Sequence, residues 1–293
     1  MPHLRPDREN LPTALRARSR WLRLGADGVP ALVVHPDVTV DTSEGRGSGD
    51  KPLGGRPGES DWPAPAGGAG IRRVPVVLWM HGRTVNKELD PGRYLRWMRA
   101  GIAACAVDLP GHGERFDERM QQADATLAVV EQMVSEIDGV LEALGALDIF
   151  DMERVAIGGM SAGGMATLAR LCRPHPFRVA TIEATTGSWR WQRERAMFQP
   201  EIVERLNPID HLDRWRELPI LALHARHDEW VALAGQEEFL EALRARYERP
   251  DLVELVVFDR TGAPAEHAGF GRHAATAKDT QLQFLSRWLL NGA

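Results

Sequence analysis

The sequence predicts an α/β protein with a mostly parallel central sheet of about eight strands and helices on both faces. Short apolar runs alternate with longer segments of helical periodicity from Val74 onward, which is the pattern of repeated strand–helix–strand units. The run at residues 74–80 is apolar throughout, as expected for a strand covered on both faces. Near the N-terminus, two apolar segments flank a Gly-Ala-Asp-Gly turn and predict an antiparallel hairpin at the sheet edge.

Six apolar runs are predicted to form the parallel part of the sheet. They occupy residues 74–80, 102–107, 155–158, 179–182, 220–223 and 252–258. Helical patterns lie between them, and the clearest is at residues 123–147, where apolar residues recur at intervals of three and four. A closing helix is predicted at residues 276–290, with an apolar stripe of Leu282, Leu285, Trp288 and Leu289.

The chain is predicted to fold as a single domain over residues 1–293. Residues 36–73 are rich in Gly, Pro, Ser and charge, so we expect a long flexible loop between the second and third strands. A domain boundary there would leave an N-terminal piece too small to fold alone.

Composition narrows the classes of partner. The chain of 293 residues has 43% hydrophobic content and a net charge of −5, with no basic stripe, so nucleic acid is not an expected partner. No apolar run approaches the length of a membrane span, and the first residues lack the apolar core of a signal peptide. Cys105 and Cys172 both fall in apolar segments. We therefore expect a cytoplasmic protein with two buried thiols.

The candidate nucleophile is Ser161, in the motif Gly-Met-Ser-Ala-Gly at residues 159–163. An apolar run precedes this motif and a helical pattern follows it, which is the setting of a strained strand-to-helix turn that exposes a serine hydroxyl. Side chains at the two glycine positions would collide with neighbouring backbone. The turn also aims the first amides of the helix at the same space as the hydroxyl.

A serine hydroxyl needs a base to remove its proton, and the base needs a third group to hold its tautomer. In this architecture an acid and then a histidine follow the serine, each after a late strand. Asp228 follows the fifth apolar run and His267 follows the sixth. Glu183 is the rival acid and His273 is the rival base.

With these motifs in order, the chain resembles the α/β-hydrolase superfamily, in its esterase, dienelactone-hydrolase and prolyl-oligopeptidase-like branch. The resemblance covers Val74 to the C-terminus. It includes a His-Gly turn at His81, the motif Asp-Leu-Pro-Gly-His-Gly at residues 108–113, and the acid and histidine motifs at residues 224–231 and 267–270. Two departures are Ala225, where a glycine is common, and the extra Ala268 after the histidine.

The resemblance implies roles for further residues. The backbone amides of Ala162 and Arg83 are the expected oxyanion donors, with Thr84 as an alternative to Arg83. His81 and His112 lie in motifs where family members use them structurally. The pair His224 and His227, close to Asp228, has no further cluster to complete a metal site, so no metal or cofactor is expected.

Residues 187–218 lie where the resembled family inserts a cap, so the resemblance implies a short cap-like insertion there. Five large side chains mark this segment. We predict that Trp189 and Trp191 border the substrate pocket. The competing interpretation is that the segment packs its own aromatic residues. These residues are Trp189, Trp191, Met197, Phe198 and Trp215.

Together these features predict a serine hydrolase that cleaves small to medium carboxylic esters through an acyl-enzyme formed on Ser161. The same groups would serve a peptidase, a thioesterase or a lactone hydrolase. A catalytically silent fold kept for binding is the alternative of a different class. The expected partner is a small-molecule ester, and the sequence does not fix the oligomeric state.

Overall fold

A computed structural model describes residues 11–38 and 72–291 of the chain. The described residues form an eight-stranded sheet in the order β1-β2-β4-β3-β5-β6-β7-β8. The first two strands pair antiparallel, β2 also pairs antiparallel with β4, and every other pairing is parallel. The strands are β1 (Ser19–Leu24), β2 (Val29–Val34), β3 (Val74–Met80), β4 (Ala103–Val107), β5 (Phe150–Met160), β6 (Val179–Glu183), β7 (Ile220–Ala225) and β8 (Val253–Phe258).

Helices cover both faces of this sheet. They are α1 (Thr13–Arg16), α2 (Pro91–Arg99), α3 (Thr126–Ala146), α4 (Ala162–Leu171), α5 (Pro200–Leu206), α6 (Leu233–Arg246) and α7 (Ala274–Leu289). Apolar side chains of α3 to α6 share one core cluster, whereas those of α2 and α7 lie in a second cluster on the opposite face. Alternate residues of β3 enter the two clusters: Leu78 enters the first and Trp79 the second. A strand buried on both faces needs a continuous apolar run, which explains the pattern in the sequence.

The predicted α/β-hydrolase architecture is confirmed, including the N-terminal hairpin. The first parallel strand begins and ends where the sequence predicts, at Val74–Met80. The strand before Ser161 is longer than predicted, because β5 begins at Phe150 and includes partly exposed Asp151 and Met152. In α7, Phe284 is buried while the predicted stripe residues Leu282 and Trp288 are only partly buried. Cys105 and Cys172 are free and buried, as predicted.

Most of the predicted flexible loop, residues 39–71, lies outside the described residues, and the single-domain assignment stays a prediction. Within the described part of the chain, no helix combines the length and apolar character needed to cross a membrane.

The sheet places the ends of β5, β7 and β8 at one edge. Parallel pairing aligns Met160 with Glu183 and Ala225 with Phe258, so the segments that follow these strands leave the sheet on the same side. Ligand sites of open α/β sheets lie at this carboxyl edge. The predicted nucleophile, acid and base all follow strands that end there.

Candidate active site

Ser161 occupies a strained turn between β5 and α4. Its backbone has φ 51° and ψ −116°, a conformation that non-glycine residues rarely adopt and that clusters at functional sites. The Ser161 N–H donates to the carbonyl of Glu183 at 2.9 Å, and the Ser161 carbonyl accepts from Thr185 Oγ1 at 2.9 Å. These bonds fix the turn against β6 while leaving the serine side chain partly accessible.

The two glycines of the motif are required by close backbone packing. A methyl group built on Gly159 would lie 2.4 Å from the carbonyl carbon of Gly163, and one built on Gly163 would lie 2.3 Å from the carbonyl oxygen of Met80. Such distances are far inside van der Waals contact. The turn therefore brings α4 against the ends of β5 and β3, as the sequence predicts.

Asp228 and His267 form a direct hydrogen-bonded pair. His267 Nδ1 lies 2.7 Å from Asp228 Oδ2, and both side chains are almost fully buried. The other carboxylate oxygen, Oδ1, accepts the backbone N–H groups of Trp230 and Val231 at 2.9 and 2.8 Å. With three donors, the carboxylate is held in one orientation. A carboxylate on Nδ1 leaves Nε2 as the nitrogen that exchanges protons with a nucleophile.

The loop that carries His267 is braced by Glu266. The Glu266 carboxylate accepts the Thr261 N–H at 2.6 Å, the Thr261 hydroxyl at 2.8 Å and the Gly262 N–H at 2.9 Å. These bonds, those to Thr261 foremost, lower the pKa of Glu266 to about 2. The backbone N–H of Glu229 also donates to the carbonyl of Ala265 at 3.0 Å. The loop that carries Asp228 and the loop that carries His267 are thus joined twice, by the Asp228–His267 side-chain bond and by this backbone bond.

The structure separates the rival acid and the rival base from this pair. Glu183 is buried against Arg93, with two hydrogen bonds of 2.6 and 2.8 Å, so its carboxylate serves a structural ion pair. His273 stacks on Phe258 with ring centroids 5.3 Å apart. Of the two candidate acids, Asp228 is the one hydrogen-bonded to His267, and the roles of both residues stay a prediction.

Ser161 and the Asp228–His267 pair lie on the same sheet edge but are not hydrogen-bonded to each other within the described residues. Catalytic hydrogen bonds are often long before substrate binds. What the structure establishes is a strained serine turn on β5 and a preformed acid–histidine pair on β7 and β8.

The predicted oxyanion donors flank Ser161. Ala162 is the first residue of α4, and the first N–H groups of a helix have no partner inside it. On the other side, a methyl group built on Gly82 would lie 3.5 Å from Ser161 Cβ, so the loop carrying Arg83 passes directly beside the serine. The Arg83 guanidinium donates to the carbonyl of Gln121, and burial lowers its pKa. Thr84 is exposed and has a positive φ of 63°.

A buried lysine anchors the same loop. The Lys87 side chain is inaccessible to solvent, and its Nζ lies 2.8 Å from Asp108 Oδ2, 2.8 Å from Glu114 Oε1 and 3.1 Å from Glu88 Oε1. Burial opposes the charge, but the carboxylates of Asp108 and Glu88 outweigh it and raise the pKa of Lys87. The Lys87 N–H also donates to Asp108 Oδ1 at 3.0 Å. This cluster ties the loop after β3 to the loop after β4.

Three buried histidines, in the loops after β3 and β4 and in β7, lie within hydrogen-bond distance of backbone groups. His81 Nδ1 donates to the Gly82 carbonyl at 2.6 Å, and its Nε2 accepts the Leu109 N–H at 3.0 Å. His112 lies beside His81, and burial lowers the pKa of His112 to about 4. His224 Nε2 lies 2.8 Å from the Val231 carbonyl, and burial lowers its pKa. Among residues 11–38 and 72–291, no group of three or more His, Cys, Asp or Glu side chains is arranged to hold a metal ion.

The pocket prediction is wrong for Trp189. Its side chain is fully buried in the first core cluster, and its indole N–H donates to the Thr186 carbonyl at 3.1 Å. Tertiary packing, which the local sequence does not encode, places it beneath the surface. Trp191 is half exposed and donates to Glu238 at 2.8 Å. The segment 187–218 thus uses its first tryptophan to dock onto the core.

Two residues near the site were not singled out from the sequence. Trp230 is 51% exposed, and its ring lies 4.9 Å from the His267 ring. Its position two residues after Asp228 was the one signal available. Lys87 lies in a polar stretch where a lysine is ordinarily exposed, so the sequence held no sign of its burial.

Comparison with known proteins assigns the family. The pattern of the prolyl oligopeptidase family matches residues 92–292, which include Ser161, Asp228 and His267. The chain belongs to this family. It is therefore a member of a serine hydrolase family.

Individual relatives and solved structures resemble the chain at low identity. The chain is 24% identical to an Escherichia coli protein named Esterase YjfP over 175 residues, which cover 54% of this chain and 70% of the relative. The Thermus thermophilus protein TT1662 superposes with a TM-score of 0.63 at 21% identity, over 93% of this chain and 99% of that one. A Mycobacterium tuberculosis puromycin-hydrolyzing peptidase superposes with a TM-score of 0.66 at 22% identity, over 96% of this chain. This chain spans only 41% of that peptidase.

Proposed function

We propose that this protein is a serine hydrolase that cleaves carboxylic esters of small to medium size, with Ser161 as nucleophile, His267 as base and Asp228 as the orienting acid. The observation that carries the proposal is the 2.7 Å bond between Asp228 and His267 on the sheet edge where Ser161 occupies a strained turn. A buried acid–histidine pair on the same sheet edge as a strained serine turn supplies the groups that such a triad needs.

The chemistry follows from this arrangement. His267 Nε2 takes the proton of Ser161 Oγ as the oxygen attacks the ester carbonyl, and Asp228 stabilises the imidazolium that forms. The amides of Ala162 and Arg83 donate to the developing oxyanion. His267 then returns the proton to the leaving alcohol, which departs and leaves an acyl group on Ser161. Water, deprotonated by the same histidine, releases the acid.

An ester substrate is favoured over a peptide by two considerations. The relative named as an esterase matches this chain over 70% of its own length. An alkoxide is also a better leaving group than an amide nitrogen, so an ester needs less assistance. Thioesters, lactones and peptides remain the alternative substrates of the same triad.

The test is hydrolysis of p-nitrophenyl esters, from acetate to decanoate, by wild type and by Ser161→Ala. Loss of the nucleophile should lower kcat by about 10⁴–10⁶. Ser135→Ala is the matched control, because Ser135 is exposed on α3 and bonds only locally to the Gln132 carbonyl at 2.6 Å. The control should keep wild-type turnover.

Equal turnover by wild type and Ser161→Ala would refute the proposed nucleophile. A wild type that hydrolyses none of the esters would instead favour the peptidase alternative or a fold kept for binding. Labelling by a fluorophosphonate separates these two, because only an activated serine reacts.

A further inference from the structure

Trp230 is a large apolar side chain left half in solvent beside the candidate base. Its 51% exposure contrasts with the 0% of Trp97 and Trp189, which are buried in the two core clusters. Burying an aromatic ring is among the largest single contributions to folding. Packing within the described chain therefore uses only part of this side chain, and one face remains available.

Backbone hydrogen bonds to the Asp228 carboxylate and to the histidine loop hold the segment that carries Trp230. The backbone N–H of Trp230 donates to Asp228 Oδ1 at 2.9 Å, and the preceding residue, Glu229, donates to Ala265 in the histidine loop at 3.0 Å. The ring packs against the imidazole of His267, with centroids 4.9 Å apart and planes inclined by 40°. The exposed indole is thus held at a set distance from the base by the same bonds that orient the acid.

The location constrains what the indole can contact. In the proposed reaction, His267 must reach both Ser161 Oγ and the leaving oxygen, so the scissile ester group lies within hydrogen-bond range of the imidazole. A ring 4.9 Å from that imidazole therefore borders the space on one side of the ester. Its exposed face is apolar and flat, and flat apolar groups bind such faces by stacking.

We propose that Trp230 is a specificity-determining residue, whose exposed indole face binds an apolar, planar group of the substrate next to the scissile bond. The inference rests on the proposed function and deepens it, because it selects aromatic esters over small aliphatic ones. Which half of the ester carries the aromatic group is decided by the experiment.

The experiment compares wild type, Trp230→Ala and Trp230→Phe on two ester series. One series keeps acetic acid and varies the alcohol from methyl to benzyl to 2-naphthyl. The other keeps methanol and varies the acid from acetic to phenylacetic to 2-naphthylacetic. In one of the series, the preference in kcat/KM for the naphthyl over the smallest ester should fall about tenfold in Trp230→Ala, the scale of one aromatic contact, and recover largely in Trp230→Phe.

Leu290→Ala is the control, since Leu290 is 37% exposed and directly follows α7. The neighbouring Leu289 carbonyl accepts from Arg154 at 3.0 Å, and Arg154 lies in the N-terminal half of β5, away from the end that carries Ser161. It should leave both preferences unchanged. A uniform loss of kcat/KM across all esters in Trp230→Ala would overturn the proposal, because a residue that only supports His267 would act on every substrate alike. Unchanged preferences in both series would overturn it as well.

A second measurement does not depend on turnover. Binding of 2-naphthol to wild type and to Trp230→Ala, followed by calorimetry, should show weaker affinity in the variant by about tenfold. If wild type hydrolyses no ester, the proposed ester chemistry fails, and the naphthol affinities alone then decide the role of Trp230. Equal affinities would overturn it.

Discussion

At the scale of residues, the two candidate acids differ in what they bond, and that difference supports the proposed role of Asp228. Glu183 faces a guanidinium at 2.6 Å, whereas Asp228 faces an imidazole at 2.7 Å. A guanidinium keeps its charge and cannot act as a base at neutral pH, but an imidazole exchanges protons there. Only the second pairing provides a base that can activate a serine.

Replacing Asp228 by Asn tests the orienting role. The amide oxygen can still accept the N–H groups of Trp230 and Val231, but an amide NH₂ facing His267 Nδ1 favours the tautomer that carries its proton on Nε2. That tautomer cannot accept the proton of Ser161, so kcat should fall by about 10⁴ with the fold retained. Asp259→Asn is the matched control, since Asp259 is 72% exposed and bonds His227. Similar kcat values for Asp228→Asn and wild type in p-nitrophenyl acetate hydrolysis would refute the role.

Replacing Gly163 by Ala tests the packing of the serine turn. A methyl group there would lie 2.3 Å from the Met80 carbonyl oxygen, so β3 and α4 must separate and the protein should lose about 1–3 kcal/mol of unfolding free energy. In α3, a methyl group on Gly139 meets nothing nearer than 3.8 Å, and Gly139→Ala should instead stabilise the protein by up to about 1 kcal/mol. Urea unfolding measures both, and equal effects of the two changes would contradict the close approach.

Sequence reasoning could propose those candidate-site residues whose position follows from chain order. Ser161, Asp228 and His267 each follow an apolar run, and parallel strands bring such positions to one edge, so the Asp228–His267 pair could be predicted. The depth of Trp189 could not, because it depends on how residues 187–218 dock onto the core. The exposed ring of Trp230 likewise depends on the tertiary placement of two loops.

At the scale of elements, continuous apolar runs predicted the strands well because helices cover both faces of the sheet. The apolar pattern did not predict the first residues of β5, where the strand is not covered on both faces. These residues include Asp151, which is partly exposed, and Glu153, which is exposed. The loop after β3 is a different case. It contains no regular strand or helix until α2, and it is held by the buried charges around Lys87.

Replacing Lys87 by Met tests this anchor. The change would leave the carboxylates of Asp108, Glu88 and Glu114 without their shared cation in a site where the lysine side chain has no exposed surface. Breaking a buried ion pair in this way should cost about 3–5 kcal/mol of unfolding free energy. Arg119→Met is the matched control, because the Arg119–Asp124 pair is exposed at 66% and 54%, and exposed ion pairs contribute little to stability. Comparable urea midpoints for the two variants would argue against the anchor.

At the scale of the whole molecule, several histidine side chains are removed from water, which disfavours their charged form. Burial is the main cause that lowers the pKa of His35, His112, His175 and His224. An imidazole that stays neutral in the folded protein does not oppose folding as long as the same imidazole is neutral in the unfolded chain. The unfolded chain binds protons first as the pH falls, so stability should decrease below the ordinary histidine pKa of 6.5.

The pH dependence of unfolding tests this for His112. With a folded pKa of about 4 and an unfolded pKa of 6.5, its contribution is fully present above pH 6.5 and is lost progressively as the pH falls to 4. Between pH 7.5 and pH 5 the loss should be about 2 kcal/mol of unfolding free energy.

In His112→Asn, the amide can still donate to the Pro110 carbonyl, which His112 Nδ1 contacts at 2.7 Å, but nothing titrates. The variant should therefore show a smaller decrease in its urea midpoint over this pH range, whereas His227→Asn, which changes an exposed ring, should keep the wild-type decrease. A wild-type midpoint that does not change between pH 7.5 and 5 would show that these buried rings do not couple folding to protonation.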